Sequence, residues 1–448
     1  MWEIKSSITK RDIPYELPAN WSWFHWGDLI LDYEQGLIRS NSQLGSGNAF
    51  YLKMGDLDNN GGCSLAGLAK TQATPNEITS FRLHEGDFLI NVRNSMDLVG
   101  KTCVIERIGE KDVLFNHMLV RIRHRDLITG SFINAFLNIP SSRKLIDRCK
   151  QGTTTVIALY KRDLLRIPIP LPDRITLDHI SGFYDAIAAK IELNNRINAE
   201  LEGLAKLLYD YWFVQFDFPM TTAQAAALGK PHLTGHPYRA SGGKMIHNET
   251  LKRDIPEGWA VKPLFDAMAV QYGFPFSTKK FTTEITDVPV IRIRDILENS
   301  ISLYTTEQVD ERYRLEPHDL VIGMDGNFHM NFWDKDGSYL NQRSVRIRAR
   351  DDSSISTFQA YFELSPYIKA REKNVSRTTV GHLSDKDLKR LHLLQIKGSK
   401  EFDPRKTFDS LLSKIIHSRV ENQELTQLRD WLLPMLMNGQ VTVGTNER

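Results

Sequence analysis

The residues of this chain best suited to chemistry are cations set on a strand-like alternation. "VRIRHR" (Val120 to Arg125) puts Arg121, Arg123 and Arg125 on one face of an extended segment, and "VRIRAR" (Val345 to Arg350) does the same for Arg346, Arg348 and Arg350. The apolar residues between them then face a core. A guanidinium contacts phosphate oxygens or, bidentately, a guanine edge, so each stripe fits part of a DNA-binding surface. The solvated face of an ordinary strand has the same pattern, and both readings stand. Just upstream, Asn116 and His117 in one place and Asn341, Gln342 and Arg343 in the other carry groups that read base edges, adenine through Asn or Gln and guanine through Arg. The same residue types also make turns. Thr153, Thr154 and Thr155, and Arg377, Thr378 and Thr379, are donors in loops, fitted either to phosphate or to capping the next segment.

Catalytic constellations are missing from the sequence. It has no Asn-Pro-Pro-Tyr-like tetrapeptide to hold an exocyclic amine, no Gly-rich cofactor loop after a strand and no His-Glu-x-x-His helix. "SGGKM" (Ser241 to Met245) resembles the tail of a phosphate-binding loop, but Tyr238 stands where the upstream glycine belongs and Met245 replaces the Ser or Thr. His232 and His236 flank "LTG" beside Pro231 and Pro237, which suits solvated loop histidines better than helical metal ligands. The 3 cysteines, Cys63, Cys103 and Cys149, are odd in number and widely spaced, giving neither a disulfide framework nor a metal knuckle. With 41% hydrophobic and 25% charged residues the composition is that of a globular protein, and no apolar run approaches a membrane span. The N-terminus has no apolar signal core, so residence in the cytoplasm is expected. A net charge of +2 leaves any polyanion to be met by local positive charge.

The elements that must position these residues occur twice. "LPANW" (Leu17 to Trp21) is echoed by "IPEGW" (Ile255 to Trp259), "FYLKMGDL" (Phe50 to Leu57) by "PVIRIRDI" (Pro289 to Ile296), and "LHEGDFLINVRN" (Leu83 to Asn94) by "LEPHDLVIGMDG" (Leu315 to Gly326). "FNHMLVRIR" (Phe115 to Arg123) faces "LNQRSVRIR" (Leu340 to Arg348), and "TTVIALYKRDL" (Thr154 to Leu164) faces "TTVGHLSDKDL" (Thr378 to Leu388). The offset drifts from 238 residues (Trp21 to Trp259) to 224 (Thr154 to Thr378), as loop differences in a duplicated unit require.

Each copy begins with short β-like runs separated by Gly, Asn and Asp turns, a compact mixed domain. A long helix follows. Tyr184, Ile187, Ile191, Asn194, Asn198, Leu201, Ala205, Leu208 and Trp212 form a seam at alternating spacings of three and four, and the second seam runs from Phe408 to Leu436. Neither seam is stable alone, so each helix is the natural partner of the other. Asn198 and Asn422 hold equivalent seam positions and are expected to fix register. The expected fold is therefore α+β: two tandem mixed α/β domains joined by long helices in an antiparallel coiled coil, pseudo-twofold symmetric. The boundaries read as 1–172 first domain, 173–216 helix, 217–254 polar linker, 255–398 second domain, 399–440 helix and 441–448 flexible tail.

With these features in order, the whole chain resembles the specificity subunit of Type I restriction-modification enzymes. The resemblance rests on the duplicated "LPANW" and "IPEGW" starts, "GTTTVIALYKRDLLRIPIPLP" (Gly152 to Pro172), "LLYDYWFVQFDFP" (Leu207 to Pro219) and the connector "GHPYRASGGKM" (Gly235 to Met245). It implies two target-recognition domains, each reading half of a split double-stranded DNA sequence, and helices on which two modification (methyltransferase) subunits dock. It further implies restriction (translocase/endonuclease) subunits in the complex. S-adenosylmethionine and ATP with Mg would be bound by those partner subunits, and no cofactor or metal by this chain. The second copy departs in "RTTVGHLSDKDLKRLHLLQI" (Arg377 to Ile396), which lacks the Pro-x-Pro ending. A stand-alone DNA-binding repressor and a fused methyltransferase-nuclease are the rival readings.

Overall fold

In the computed structural model the described residues are 8, 16–59, 61–125, 127–152, 156–285, 288–373, 381–396, 401–437 and 439–441. They form two units, one built from residues up to Lys190 together with those from Glu424 onward, the other from Ile191–Gln423.

The first unit is organised around an antiparallel sheet in the order Ile30–Gln35, Leu119–His124, Phe88–Asn91, Thr102–Val104. A second sheet sets Leu44–Leu52 between Ala69–Thr71 and Val113–Phe115, the latter pair parallel. The helix Leu127–Asn138 buries Phe132, Ile133 and Phe136 with Phe88, Ile90, Val120 and Ile122 of the first sheet. Strand Ser22–His25 pairs with Pro168–Leu171, closing the domain just before the long helix Arg174–Tyr209 begins. Leu177, Ile180 and Tyr184 of that helix share this core with Leu433, Leu436 and Met437 of helix Pro404–Met437.

The second unit repeats the main features of this plan. Its sheet runs Met268–Tyr272, Ser344–Ala349, Leu320–Gly323, Met330–Phe332. A parallel pair, Val288–Ile291 with Tyr339–Leu340, corresponds to Leu44–Leu52 with Val113–Phe115. Ala260–Pro263 pairs with His392–Gln395 as Ser22–His25 does with Pro168–Leu171. The expected duplication is thus present as topology.

Within this unit the later part of the first long helix lies antiparallel to the start of the second. Asn194 Nδ2 donates to Asn422 Oδ1 at 2.8 Å and to Glu421 Oε2 at 2.7 Å, while Arg419 meets Glu202 at 3.2 Å. The seam asparagines are used differently from expectation. Asn422 crosses to Asn194 and Asn195, whereas Asn198 is buried with its Oδ1 unsatisfied among the described residues. In an antiparallel pair, partners are residues whose numbers rise on one helix and fall on the other, so Asn194 and not Asn198 meets Asn422.

The expected linker 217–254 is also folded. Phe216, Phe218 and Met220 alternate into the core with Tyr238, and strands Met245–Asn248 and Arg253–Pro256 form a hairpin. The apolar residues of "FVQFDFPM", at period two, outweigh the Gly and Ser that follow them. Among the described residues no helix is long and apolar enough to cross a membrane, and no group of three or more His, Cys, Asp or Glu is placed to hold a metal ion.

Candidate nucleic-acid interface

The two arginine stripes lie on central strands, each paired on both edges. The residues of both strands are largely buried, and the arginines of both stripes make hydrogen bonds within their own domain. Arg121 is buried, donating to Asp32 at 3.0 Å and to the carbonyls of Ser80 and Arg82. Its counterpart Arg346 is buried and donates to the Arg314 carbonyl at 2.7 Å; burial lowers its pKa. Arg123 forks onto Asp87 at 2.7 and 3.2 Å, and the hydrogen bonding to this carboxylate holds the guanidinium above its ordinary pKa. Arg348 forks onto Asp319 at 2.6 and 2.7 Å and reaches Glu316 at 2.7 Å. Arg125 and Arg350 are exposed and donate to backbone carbonyls of Asp28 and Phe265. Arg121 and Arg346 are thus buried, while Arg123 and Arg348 are partly exposed and paired with acids of their own domain.

The residues just before the stripes form a matching turn in both domains. Asn116 Oδ1 accepts from the Met118 amide at 2.8 Å, and Asn341 Oδ1 accepts from the Gln342 amide at 2.7 Å, so both asparagines shape the backbone. His117 is half-buried, with its amide bonded to the Leu37 carbonyl. Gln342 and Arg343 are exposed. A glycine packs against each turn. A Cβ on Gly36 would sit 2.4 Å from the Asn116 carbonyl oxygen, and one on Gly273 would sit 2.0 Å from that of Asn341. Only a residue without a side chain permits so close an approach. Thr153, Thr154, Arg377 and Thr378 lie outside the described residues.

Three segments meet beside each turn on one hydrogen-bonded frame. In the first unit Val92 N donates to Met118 O at 2.9 Å and Leu159 N to Val92 O at 2.8 Å. In the second, Met324 N donates to Arg343 O at 2.9 Å and Leu383 N to Met324 O at 2.8 Å. The next residues pair as well, Arg93 with Ala158 and Asp325 with His382. This frame, and Asp87, Asp319, Asp325, Gly36 and Gly273 with it, were missed in reading the sequence. The aligned repeats do contain the signal, because Asp87 and Asp319 occupy one register, as do Gly36 and Gly273.

A family model described as Type I restriction modification DNA specificity domain matches residues 256–394. The Type I restriction enzyme EcoBI specificity subunit of Escherichia coli is 29% identical over 192 residues, 42% of this chain, and that match spans only 40% of the relative's own length. The HindI specificity subunit of Haemophilus influenzae is 23% identical over 342 residues, covering 66% of this chain and 74% of the relative. The MjaIX specificity subunit of Methanocaldococcus jannaschii is 22% identical over 305 residues, 65% of each chain. In fold, the chain is similar to the crystal structure of a Type-I restriction-modification system S subunit from M. genitalium, with TM-score 0.53 and 16% identity over 95% of this chain and 98% of the other. Residues 256–394 thus match a Type I specificity domain, and the chain is similar in sequence over part of its length, and in fold, to Type I restriction-modification specificity subunits.

Proposed function

We propose that this chain is the DNA sequence-recognition subunit of a Type I restriction-modification complex, each sheet-rich domain reading one half of a bipartite double-stranded target. The observation that carries this reading is one backbone frame built twice with different side chains on it. Identical scaffolds with unlike readers suit a split, asymmetric sequence. The modification subunits dock on the helices and supply S-adenosylmethionine-dependent adenine methylation; ATP- and Mg-dependent translocation and cleavage belong to the restriction subunits. Support for docking comes from Leu193, Ile197, Leu204, Leu207 and Tyr211, between 36% and 65% exposed and recurring at helical spacing along one side of the helix. These residues lie away from the seam that holds the two helices together.

Genome-wide mapping of methylated adenines, in cells with and without the chain, is the test. A single bipartite motif should lose its methylation when the chain is removed. The purified chain should copurify with methyltransferase subunits and transfer no methyl group by itself. Methylation by the isolated chain, or a methylome unchanged by its removal, would overturn the proposal; a chain that binds DNA but brings down no methyltransferase would be a repressor instead.

A further inference from the structure

Asp325 stands on the frame of the second domain with one carboxylate oxygen committed to each of two neighbours. Oδ1 accepts from Nδ1 of His382 at 2.6 Å, and Oδ2 is ion-paired with Nη1 of Arg343 at 3.1 Å. The three residues come from three segments that the backbone ties together: Met324 N to Arg343 O, Leu383 N to Met324 O, and Gly326 N to Gly381 O, all at 2.8 to 2.9 Å. Arg343 and His382 remain more than half exposed, whereas the carboxylate that holds them is three-quarters covered. One carboxylate thus holds both a guanidinium and an imidazole, each of which is more than half open to solvent. This differs from the arrangement of Arg348, whose fork is closed onto Asp319 and Glu316.

Chemistry then settles what the two side chains offer. Because Nδ1 of His382 donates to the carboxylate, its Nε2 in the neutral ring carries a lone pair and accepts. Arg343 is ion-paired with Asp325 through Nη1 and has N–H donors left for a planar ligand. The combined pattern is donor, donor, acceptor. In the major groove a G·C pair presents the complement: two acceptors, N7 and O6, on guanine and one donor, N4, on cytosine. An A·T pair places acceptor, donor, acceptor there and leaves both the arginine fork and the imidazole lone pair mismatched. Resting on the recognition role proposed above, we infer that Arg343 and His382, braced by Asp325, read one G·C base pair in the half-site of the second domain.

The first domain shows that the frame does not require these residues. Its equivalent positions hold Arg93, Met118 and Ala158, with the same backbone hydrogen bonds. Arg93 is exposed and Met118 is an apolar half-buried side chain. An ion-paired triad needed only to hold the turn would be expected in both copies, as the pairs Asp87 with Arg123 and Asp319 with Arg348 are. The triad is instead particular to one domain, as a reader of one half-site must be.

The experiment is selection from a randomised duplex library by the full chain assembled with its modification subunits, comparing wild type with Arg343→Lys, Arg343→Ala and His382→Ala. The wild-type complex should enrich a two-part sequence. Both Arg343 variants and His382→Ala should relax one and the same G·C position, with a roughly ten- to hundred-fold loss of preference there for Arg343→Ala, and leave every other position intact. Arg343→Lys retains the charge that faces Asp325, so it keeps the test open if the alanine variant does not fold. Enrichment of the unchanged sequence by the variants, or uniform weakening on all sequences, overturns the base-reading pair while leaving the recognition role standing. Failure of the wild-type complex to enrich any sequence overturns the recognition role itself, and the pair with it.

Discussion

Asp87 and Asp319 each hold two things in place, a turn and a strand. Asp87 Oδ2 accepts from the His84 amide at 2.9 Å and Asp319 Oδ2 from the Glu316 amide at 2.8 Å, while both carboxylates receive a forked arginine from the neighbouring strand. Both acids are almost fully buried. Removing the negative charge of Asp319 leaves the guanidinium of Arg348 with only Glu316 and the Arg314 carbonyl, and a half-broken buried pair is costly. Asp319→Asn should destabilise the second unit by on the order of 3 kcal/mol. Urea unfolding of the full chain would show this as an early first transition, and a loss below about 0.5 kcal/mol, typical of an exposed pair, would mean that the carboxylate is not the anchor. Under the proposed recognition role the base preference of the folded variant should be unchanged, because Asp319 is buried. This residue pair also shows what the arginine stripe leaves open: Val-Arg-Ile-Arg alternates identically whether the second face meets water, a ligand or a buried acid, and period two alone cannot choose.

At the level of elements the duplication was the legible part, since turn residues and strand starts recur in order and their partners follow from it. Packing between elements was less legible. The Gly, Ser and polar content of segment 217–254 reads as a linker, yet Phe218, Met220 and Tyr238 are buried in the core of the second unit. Glu363 is another case, an acid inside helix Thr357–Lys373 that gives no sign in sequence of its surroundings. Its Oε2 accepts from the Leu394 amide at 2.9 Å on strand His392–Gln395, its Oε1 from Gln359 at 2.8 Å, and burial pushes its pKa up to about 7. The ordinary value for this group is 4.5, so the folded unit binds the proton that the unfolded chain releases. The stabilising contribution is complete below the unfolded pKa and is lost as pH rises through about 7. The thermal midpoint of the second unit should therefore be higher at mildly acidic than at mildly alkaline pH. In Glu363→Gln, which keeps the shape and an acceptor for Leu394, this slope should flatten; an identical slope in the variant would assign the pH dependence to other groups.

For the molecule as a whole, the consequence of the paired helices is that sequence neighbourhood and structural membership part company. Residues from Glu424 onward follow directly on the second unit in sequence but belong to the first, where Leu433, Leu436 and Met437 are buried with Trp26, Phe88 and Leu177. Each such side chain contributes about 1.5–3 kcal/mol when fully buried, a large share of the margin by which a domain is stable. Cutting the chain after Gln423 should thus loosen the unit whose other residues lie more than two hundred positions upstream. Hydrogen exchange gives the readout: amides of strands Phe88–Asn91 and Leu119–His124 should lose protection, while those of Leu320–Gly323 and Ser344–Ala349 keep theirs. Leu433→Ala with Leu436→Ala repeats the test without shortening the chain, each cavity costing about 2–5 kcal/mol. If recognition is divided between the units, the same double variant should lose the half-site of the first unit and keep that of the second. Equal loss of protection in both units, or loss confined to the second, would mean that the terminal helix does not complete the first core, and that the division of the chain into two readers runs along the sequence after all.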